Sequence, residues 1–359
     1  MKTLKVALIG TGKVSTIHAD AFKHTPGTEL VAVCGTSREK AQQFAAPYSL
    51  QGFDSVQKMI ETTKADIVSI CTPHPRHAEV AVPALEMGCH ILVEKPLASS
   101  LEDCDAILQA AERYKRKVGV ISQRRYYPSA MRMKNAITEG KIGNPILGVV
   151  TWLGWRGKDY YESDPWRGTW DKEGGGVLVN QLPHQLDMLL WYMGDIEELY
   201  GTWANLNHPY IEVDDTALAI IKFKNGALGN ILASNSQNPA LYGKVHVFGK
   251  KGASVGVQTD GGNMFIAGMN PLKEAAFNDL WTIPGEETNL AKWKEEDQAH
   301  FDSIDPSYYF HQKQIADFVE AIEHDRRPIV DGHDGRKVVE LFTAIYRCQK
   351  ENRPLKFPL

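Results

Sequence analysis

The stretch KVALIGTGKVS, residues 5–15, constrains the fold more than any other part of the chain. A short run of aliphatic and β-branched residues ends on two glycines separated by Thr11, and helix-length sequence follows directly. Four further runs of the same kind come before residue 123: ELVAVCG, DIVSICT, CHILVEK and KVGVIS. Between them lie STIHADAFKHT, SREKAQQFAAPY, HAEVAVPALEMG and LEDCDAILQAAERYK, each long and amphipathic enough to be a crossover helix. Apolar runs buried on both faces and joined by helices build a parallel, doubly wound sheet. The class is therefore α/β.

With 359 residues the chain exceeds one ordinary core, so two domains are expected. The first spans 1–123. The second spans 124–359, where the texture changes. The segment QRRYYPSAMRMKNAITEG reads as a helix ending at Gly140, and ILGVVTWLGWR, ELYGTWANL, TALAIIKF, ALGNILASN and KVHVFG read as strands joined by tight turns. They predict a large, mostly antiparallel sheet with the segment GGGVLVNQLPHQLDMLLWYMG laid against it as a helix. Residues 258–305 show no clear period and read as a loop-rich excursion. SYYFHQKQIADFVEAIEH and DGRKVVELFTAIYRCQKE close the chain as helices.

Several function classes fall away. The net charge of -4 and the lack of a basic run argue against nucleic acid as a partner. No stretch approaches the ~20 apolar residues of a membrane span, and the apolar run after the first lysines is too short for a signal peptide. A soluble, cytoplasmic protein is expected. The five cysteines include no CxxC pair and the histidines are scattered, so neither a disulfide framework nor a metal site is expected. Cys34 and Cys71 read as small buried hydrophobes.

Two motifs carry chemistry on their own terms. In GTGKVS, Gly10 allows a tight turn after the first strand and Gly12 lets backbone approach a pyrophosphate, while Thr11, Lys13 and Val14 complete a loop at a helix N-terminus. Ser15 stands where the third glycine or alanine of such a fingerprint belongs. After the second strand, where an acid would bind the ribose of NAD, the sequence has Gly35 and then Ser37 and Arg38, which suit a 2′-phosphate. The second motif is Glu94-Lys95-Pro96 at the end of the CHILVEK strand. Ligands of open α/β sheets bind beyond the carboxyl ends of the strands, so Lys95 is aimed where a nicotinamide would lie, with a cis bond to Pro96 compatible with the sequence.

Together, GTG with His18, CTPHPRHAEV, the Glu94-Lys95-Pro96 triplet and GGGVLVNQLPHQLD resemble the glucose-fructose oxidoreductase and inositol dehydrogenase (Gfo/Idh/MocA) family over nearly the whole chain. The resemblance implies a Rossmann domain, an α/β domain whose open sheet forms homo-oligomer contacts, and NAD(P)-linked chemistry on sugars or cyclitols. It assigns Cys71, Thr72, Pro73, His74 and His77 to the cofactor-side loop, Lys95 as catalytic lysine and His184 as catalytic histidine. Asn180 falls where many members carry Asp, and Leu182 where many carry Gly. The VNQxxH form with WRGTW upstream is similar to members that oxidise the C3 hydroxyl of sugars or glycosides. The cofactor expected on this basis is NAD, with NADP as the alternative that Ser37 and Arg38 favour.

Oxidation of a secondary alcohol removes a hydride and a proton. His184 titrates in the range a base requires, and a charged Lys95 stabilises the developing alkoxide. Asn180 can hydrogen-bond a substrate hydroxyl. Asn180, His184 and Asp187 share a helical face only if Pro183 does not start the helix, since proline lacks the N–H an interior position needs. On the substrate side, Arg156, Trp166 and Arg167 lie in the aromatic stretch WLGWRGKDYYESDPWRGTW, and Arg124 and Tyr126 follow the KVGVIS strand. Rings pack on sugar C–H faces and arginines bond hydroxyls. Asn207 and His208 form a weaker candidate wall. The expected activity is oxidation of a ring hydroxyl, C3 foremost, of a sugar or glycoside, preparing O- or C-glycosides for cleavage. The alternatives are an oxidation–elimination glycosidase, an inositol or other cyclitol dehydrogenase, and a non-catalytic dinucleotide sensor.

Overall fold

The structure is a computed structural model and describes residues 3–259 and 274–359. The chain divides into two compact units, Met1–Gln123 with Pro306–Val339, and Arg124–Asp305 with Glu340–Leu359. The division differs from the expected one, which placed everything after residue 123 in the second domain. The reason is packing. Ile315, Phe318 and Val319 are fully or nearly fully buried in the same core as Leu4, Val6, Leu8, Phe22, Val33 and Ile67.

In unit 1, β1 (Leu4–Ile9), β2 (Thr28–Cys34), β3 (Gln51–Phe53), β4 (Ile67–Ile70), β5 (His90–Val93) and β6 (Val118–Val120) form a parallel sheet in the order β3-β2-β1-β4-β5-β6. The connecting helices are α1 (Lys13–Lys23), α2 (Arg38–Ala45), α3 (Val56–Thr63), α4 (His77–Glu86) and α5 (Leu101–Tyr114). This is the Rossmann arrangement, with the order reversing between β1 and β4. The three-residue edge strand β3 gave no sequence signal. Its middle residue, Gly52, lies against α2, where a Cβ would come 2.8 Å from the Gln42 nitrogen.

Unit 2 holds α6 (Pro128–Thr138), β7 (Pro145–Leu153), α7 (Lys158–Glu162), α8 (Trp170–Glu173), α9 (Pro183–Met193), β8 (Ile196–Ala204), β9 (Thr216–Phe223), β10 (Leu228–Ser234), β11 (Lys244–Gly249), β12 (Ser254–Gln258), β13 (Phe277–Trp281), α10 (Asn289–Asp302) and β14 (Leu355–Lys356). The strands form one sheet, β13-β12-β11-β7-β10-β9-β8-β14, antiparallel except for the β7–β10 pair. Helix α9 packs against β7 and β11. It lies close over Gly148, where a Cβ would meet the Met193 and Leu189 side chains at 2.8–2.9 Å. The excursion expected over 258–305 is corrected in part. Residues 260–273 lie outside the described residues, but 277–281 is a strand and 289–302 a helix.

Among the described residues, the other face of this sheet carries exposed apolar side chains. Along β9 buried and exposed residues alternate, yet the exposed ones include Leu218 and Ile220, beside Leu228 and Leu232 of β10. Two helices at Tyr309–Glu323 and Gly332–Glu351 match the closing patterns of the sequence. No helix among the described residues is long and apolar enough to cross a membrane.

Candidate active site

In unit 1 the parallel sheet gathers the expected cofactor residues along its carboxyl edge. Gly10 follows β1 with φ +116°, and a Cβ there would lie 2.7 Å from the Cys71 carbonyl oxygen, so only glycine fits. Gly12 is the N-cap of α1 without a side-chain cap, and a Cβ on it would meet nothing within 4 Å. Backbone N–H groups at that end are therefore open to an approaching anion. Thr11 and Val14 are half-buried and Lys13 is exposed around this turn.

After β2, Gly35 is tight rather than open. A Cβ would press on Thr11 at 3.0 Å and on the Ala41 nitrogen at 3.2 Å, which explains why no acid stands there. Ser37 is the N-cap of α2, accepting the Lys40 N–H at 3.3 Å, and Arg38 is exposed. As a cap the Ser37 oxygen accepts, which leaves its own hydrogen to donate.

Cys71, Thr72, Pro73 and His74 follow β4. Cys71 is half-buried rather than buried as expected. His77 is fully buried, its ring spanning the Thr72 carbonyl (Nε2, 2.9 Å) and the Pro96 carbonyl (Nδ1, 3.0 Å). Burial pulls its pKa down. Its side chain shapes the loop by joining the ends of β4 and β5. Ser15 Oγ and Thr72 Oγ1 are buried oxygens with no hydrogen-bond partner among the described residues. Buried polar atoms are rarely left so; Ser15 lies in the first turn of α1 after Gly12, and Thr72 follows Cys71, whose carbonyl approaches Gly10. The residues present fit a dinucleotide.

Glu94 and Lys95 end β5, and the Lys95–Pro96 bond is cis. Glu94 accepts the Lys95 N–H at 3.1 Å and pairs with His18 Nε2 at 2.9 Å, while His18 Nδ1 meets Ser69 Oγ at 2.8 Å. Burial alone would raise Glu94, but the His18 hydrogen bond and charge hold it well below the usual carboxylate range. Against the same burial penalty, Cys71 and Glu94 raise His18. His311 completes the cluster, 3.9 Å from Glu94, and its pKa falls to about 4 through burial and the His18 charge. Among the described residues these three bring metal-type ligand atoms within 4.8 Å of one another. Within this cluster both ring nitrogens of His18 are already hydrogen-bonded, to Ser69 and to Glu94.

In unit 2 the glycine triplet has a structural cause. A Cβ on Gly176 would lie 1.9 Å from the Asp214 carbonyl oxygen, and one on Gly175 would strike Tyr346 and Val179. The Asp214 carboxylate accepts the Gly176 and Leu178 N–H groups at 2.7 and 3.1 Å and the Tyr346 hydroxyl at 2.6 Å. The backbone then makes a π turn over Val177–Gln181, and α9 starts with Pro183 at its first position. Asn180 therefore sits in the π turn and His184 in the first turn of α9, not on one helical face. His184 is 8% exposed.

Asp187, one turn beyond His184, forms a bidentate pair with Arg125 at 2.6 and 2.7 Å, both residues buried. It anchors the segment that carries Arg124 and Tyr126, both half-buried. Arg124 also donates to Thr259 at 3.1 Å. The sequence offered Asp187 as an indirect support of the site or a solvent cap, outside the catalytic set, and did not single out Arg125.

The aromatic stretch separates into two clusters. Arg156 lies over Trp152 and Tyr160, and Arg167 lies over Tyr160 and Trp166 at 4.3 and 4.5 Å. Asn180 donates to the Tyr160 hydroxyl at 3.0 Å, joining the π turn to this cluster. Trp170 instead packs on Trp203 and Tyr346. His208 is fully buried between Asp215 (2.8 Å) and the Arg156 carbonyl (2.8 Å). It is a brace beneath Arg156 rather than a wall.

A model described as an oxidoreductase family with NAD-binding Rossmann fold matches residues 4–122, and the Gfo/Idh/MocA C-terminal domain matches residues 130–255. The NAD+-dependent scyllo-inositol 2-dehydrogenase of Bacillus subtilis (strain 168) is 30% identical over 260 residues, 70% of this chain and 72% of that protein. D-Glucoside 3-dehydrogenase of Escherichia coli (strain K12) is 27% identical over 251 residues, 63% of this chain and 68% of that protein. The crystal structure of the WlbA dehydrogenase from Bordetella pertussis in complex with NADH and UDP-GlcNAcA superposes with a TM-score of 0.84 at 27% identity, covering 100% of both chains. With both units matched by their models and the dinucleotide turn built as required, the chain belongs to the Gfo/Idh/MocA oxidoreductase family and is an NAD-dependent dehydrogenase.

Proposed function

We propose that the protein oxidises a ring secondary hydroxyl, C3 foremost, of a sugar or glycoside. The observation that carries this reading is the direct hydrogen bond from Asn180 to Tyr160, the ring over which Arg156 and Arg167 stack. Tyr160 itself is buried, but Asn180, Trp166 and Arg167 around it are half-buried and offer hydroxyl partners and an apolar ring together, as a sugar demands. The similarity to a D-glucoside 3-dehydrogenase supports the regiochemistry.

When bound, the nicotinamide supplies the hydride acceptor. The chain's own residues handle the rest. His184 accepts the hydroxyl proton at an imidazole nitrogen. The Lys95 ammonium donates to the oxygen as its charge develops, and Glu94 fixes the Lys95 backbone through its N–H. Asn180 orients a neighbouring hydroxyl. Arg124, Tyr126, Trp166 and the two stacked arginines line the substrate. The exposed apolar sheet face of unit 2 supports a homo-oligomer.

Incubation with NAD+ and a panel of glucosides, free sugars and inositols, with products assigned by NMR, tests the reading. A 3-keto glycoside is expected, and oxidation at another carbon would overturn the regiochemistry. The similarity to scyllo-inositol 2-dehydrogenase favours a second reading, a cyclitol dehydrogenase, which turnover of inositols alone would establish.

A further inference from the structure

Directly before the glycine triplet, at the end of α8, Glu173 is 1% exposed. One carboxylate oxygen accepts the Gly168 N–H at 2.5 Å, and the other accepts the Asn180 side-chain amide. The same Asn180 nitrogen donates to the Tyr160 hydroxyl, which also receives Arg167 and the Gln181 amide at 2.9 Å. Both amide hydrogens of Asn180 are thus directed at Glu173 and Tyr160, and planarity turns its oxygen away from them.

Tyr160 already accepts from Arg167 and Gln181, so its own hydrogen is drawn toward the Asn180 oxygen and it does not hold the amide nitrogen in place. Glu173 does. An ionised carboxylate only accepts, and a flipped amide would set oxygen against oxygen. A protonated carboxyl can donate, and then tolerates either orientation. We propose that Glu173 is a positioning residue which, when ionised, locks the Asn180 amide so that its oxygen accepts a hydroxyl hydrogen of the polyol substrate. The inference rests on the proposed function, since Asn180 must meet substrate.

The switch lies in the working range of an enzyme. Burial raises Glu173 to about 7, opposed by the Gly168 N–H, Asn180 and Arg167 and reinforced by Asp214. The other titratable groups around it are Tyr160 and Tyr161 of α7 and Tyr346 of the C-terminal helix, all pushed upward by burial and therefore neutral there. Arg167 and Asp214 are the charged neighbours, of opposite sign.

The test is KM and kcat for the best polyol, measured from pH 5.5 to 9 on wild type, Glu173→Gln, Asn180→Ala and the double variant. In wild type KM is expected to rise below pH ~7. In Glu173→Gln that dependence should vanish and KM at pH 8 should rise up to about tenfold, the equivalent of one lost hydrogen bond, with kcat changing far less. Adding Glu173→Gln to Asn180→Ala should change nothing further, because one residue acts through the other. Melting temperatures confirm folding, and Glu173→Asp, charged but shorter, serves if the glutamine variant does not fold. It should keep a pH-dependent KM at a raised value. An unchanged KM profile in Glu173→Gln, or additive losses in the double variant, would overturn the inference while leaving the function intact. Failure to oxidise any polyol would sink both.

Discussion

At position 125 the chain buries an arginine, 3% exposed, and meets it with the carboxylate of Asp187. Two charges removed from water are stable only as a complete pair, and removal of one partner costs about 3–5 kcal/mol. Asp187→Ala is therefore expected to lower the melting temperature sharply, and Arg125 with its neighbours Arg124 and Tyr126 should lose order. A thermal melt with and without NADH reads this directly. Glu173 gives a second prediction, with a sign set by linkage. Its pKa in the fold, about 7, exceeds the 4.5 of a free glutamate, so the unfolded chain releases the proton first as pH rises. The stability it contributes is complete below pH ~4.5 and is lost as pH passes 7. Glu173→Gln should accordingly gain stability on wild type between pH 5 and 8, a comparison that needs no substrate. Neither residue announced itself in the sequence. The acid before GGG was visible, but its partner, the Asn180 amide, depends on a π turn that no periodicity encodes.

The glycines show how differently one residue type serves two elements. In the turn before α1, a Cβ on Gly12 meets open space, whereas on Gly176 it meets the Asp214 carbonyl at 1.9 Å. Gly12→Ala should leave the melting temperature unchanged yet weaken NADH binding, read by fluorescence titration, because the added methyl occupies the approach to the helix N-terminus. Gly176→Ala should instead destabilise the fold. The same contrast explains what could be read in advance. Strands β1, β2, β4, β5 and β6 are continuous apolar runs, and the Gly10–Gly12 turn and the Lys95 strand end follow from them. Strands β3, β13 and β14 are short edge or near-edge strands whose residues gain their conformation from neighbours. Helix α10, NLAKWKEEDQAHFD, buries only Asp297 and Phe301, so its sequence lacks an apolar stripe. Pro183 was legible as a fork, and the structure resolves it as a first helical residue.

Across the whole molecule, the face of the second sheet bearing Leu218, Ile220, Leu228 and Leu232 is the apolar surface a lone chain leaves in water. Ile220 and Leu228 are 67% and 58% exposed. Contiguous patches of this kind mark interaction sites, and a second copy of the chain is the proposed cover. Light scattering should find an oligomer, and Ile220→Lys with Leu228→Lys should shift it toward a smaller species without unfolding it. The domain boundary was legible only at its first crossing, after the sixth strand, where the strand–helix texture ends. The return at residue 306 was not, because SYYFHQKQIADFVEAIEH looks amphipathic whichever core receives it. That return has a consequence for synthesis. The first unit's core includes Ile315, Phe318 and Val319, so the nascent Rossmann sheet waits with one wall missing while the second unit is translated. Its core is expected to close only after residue 319 has been made, and a stop before that residue should leave the dinucleotide half exposed.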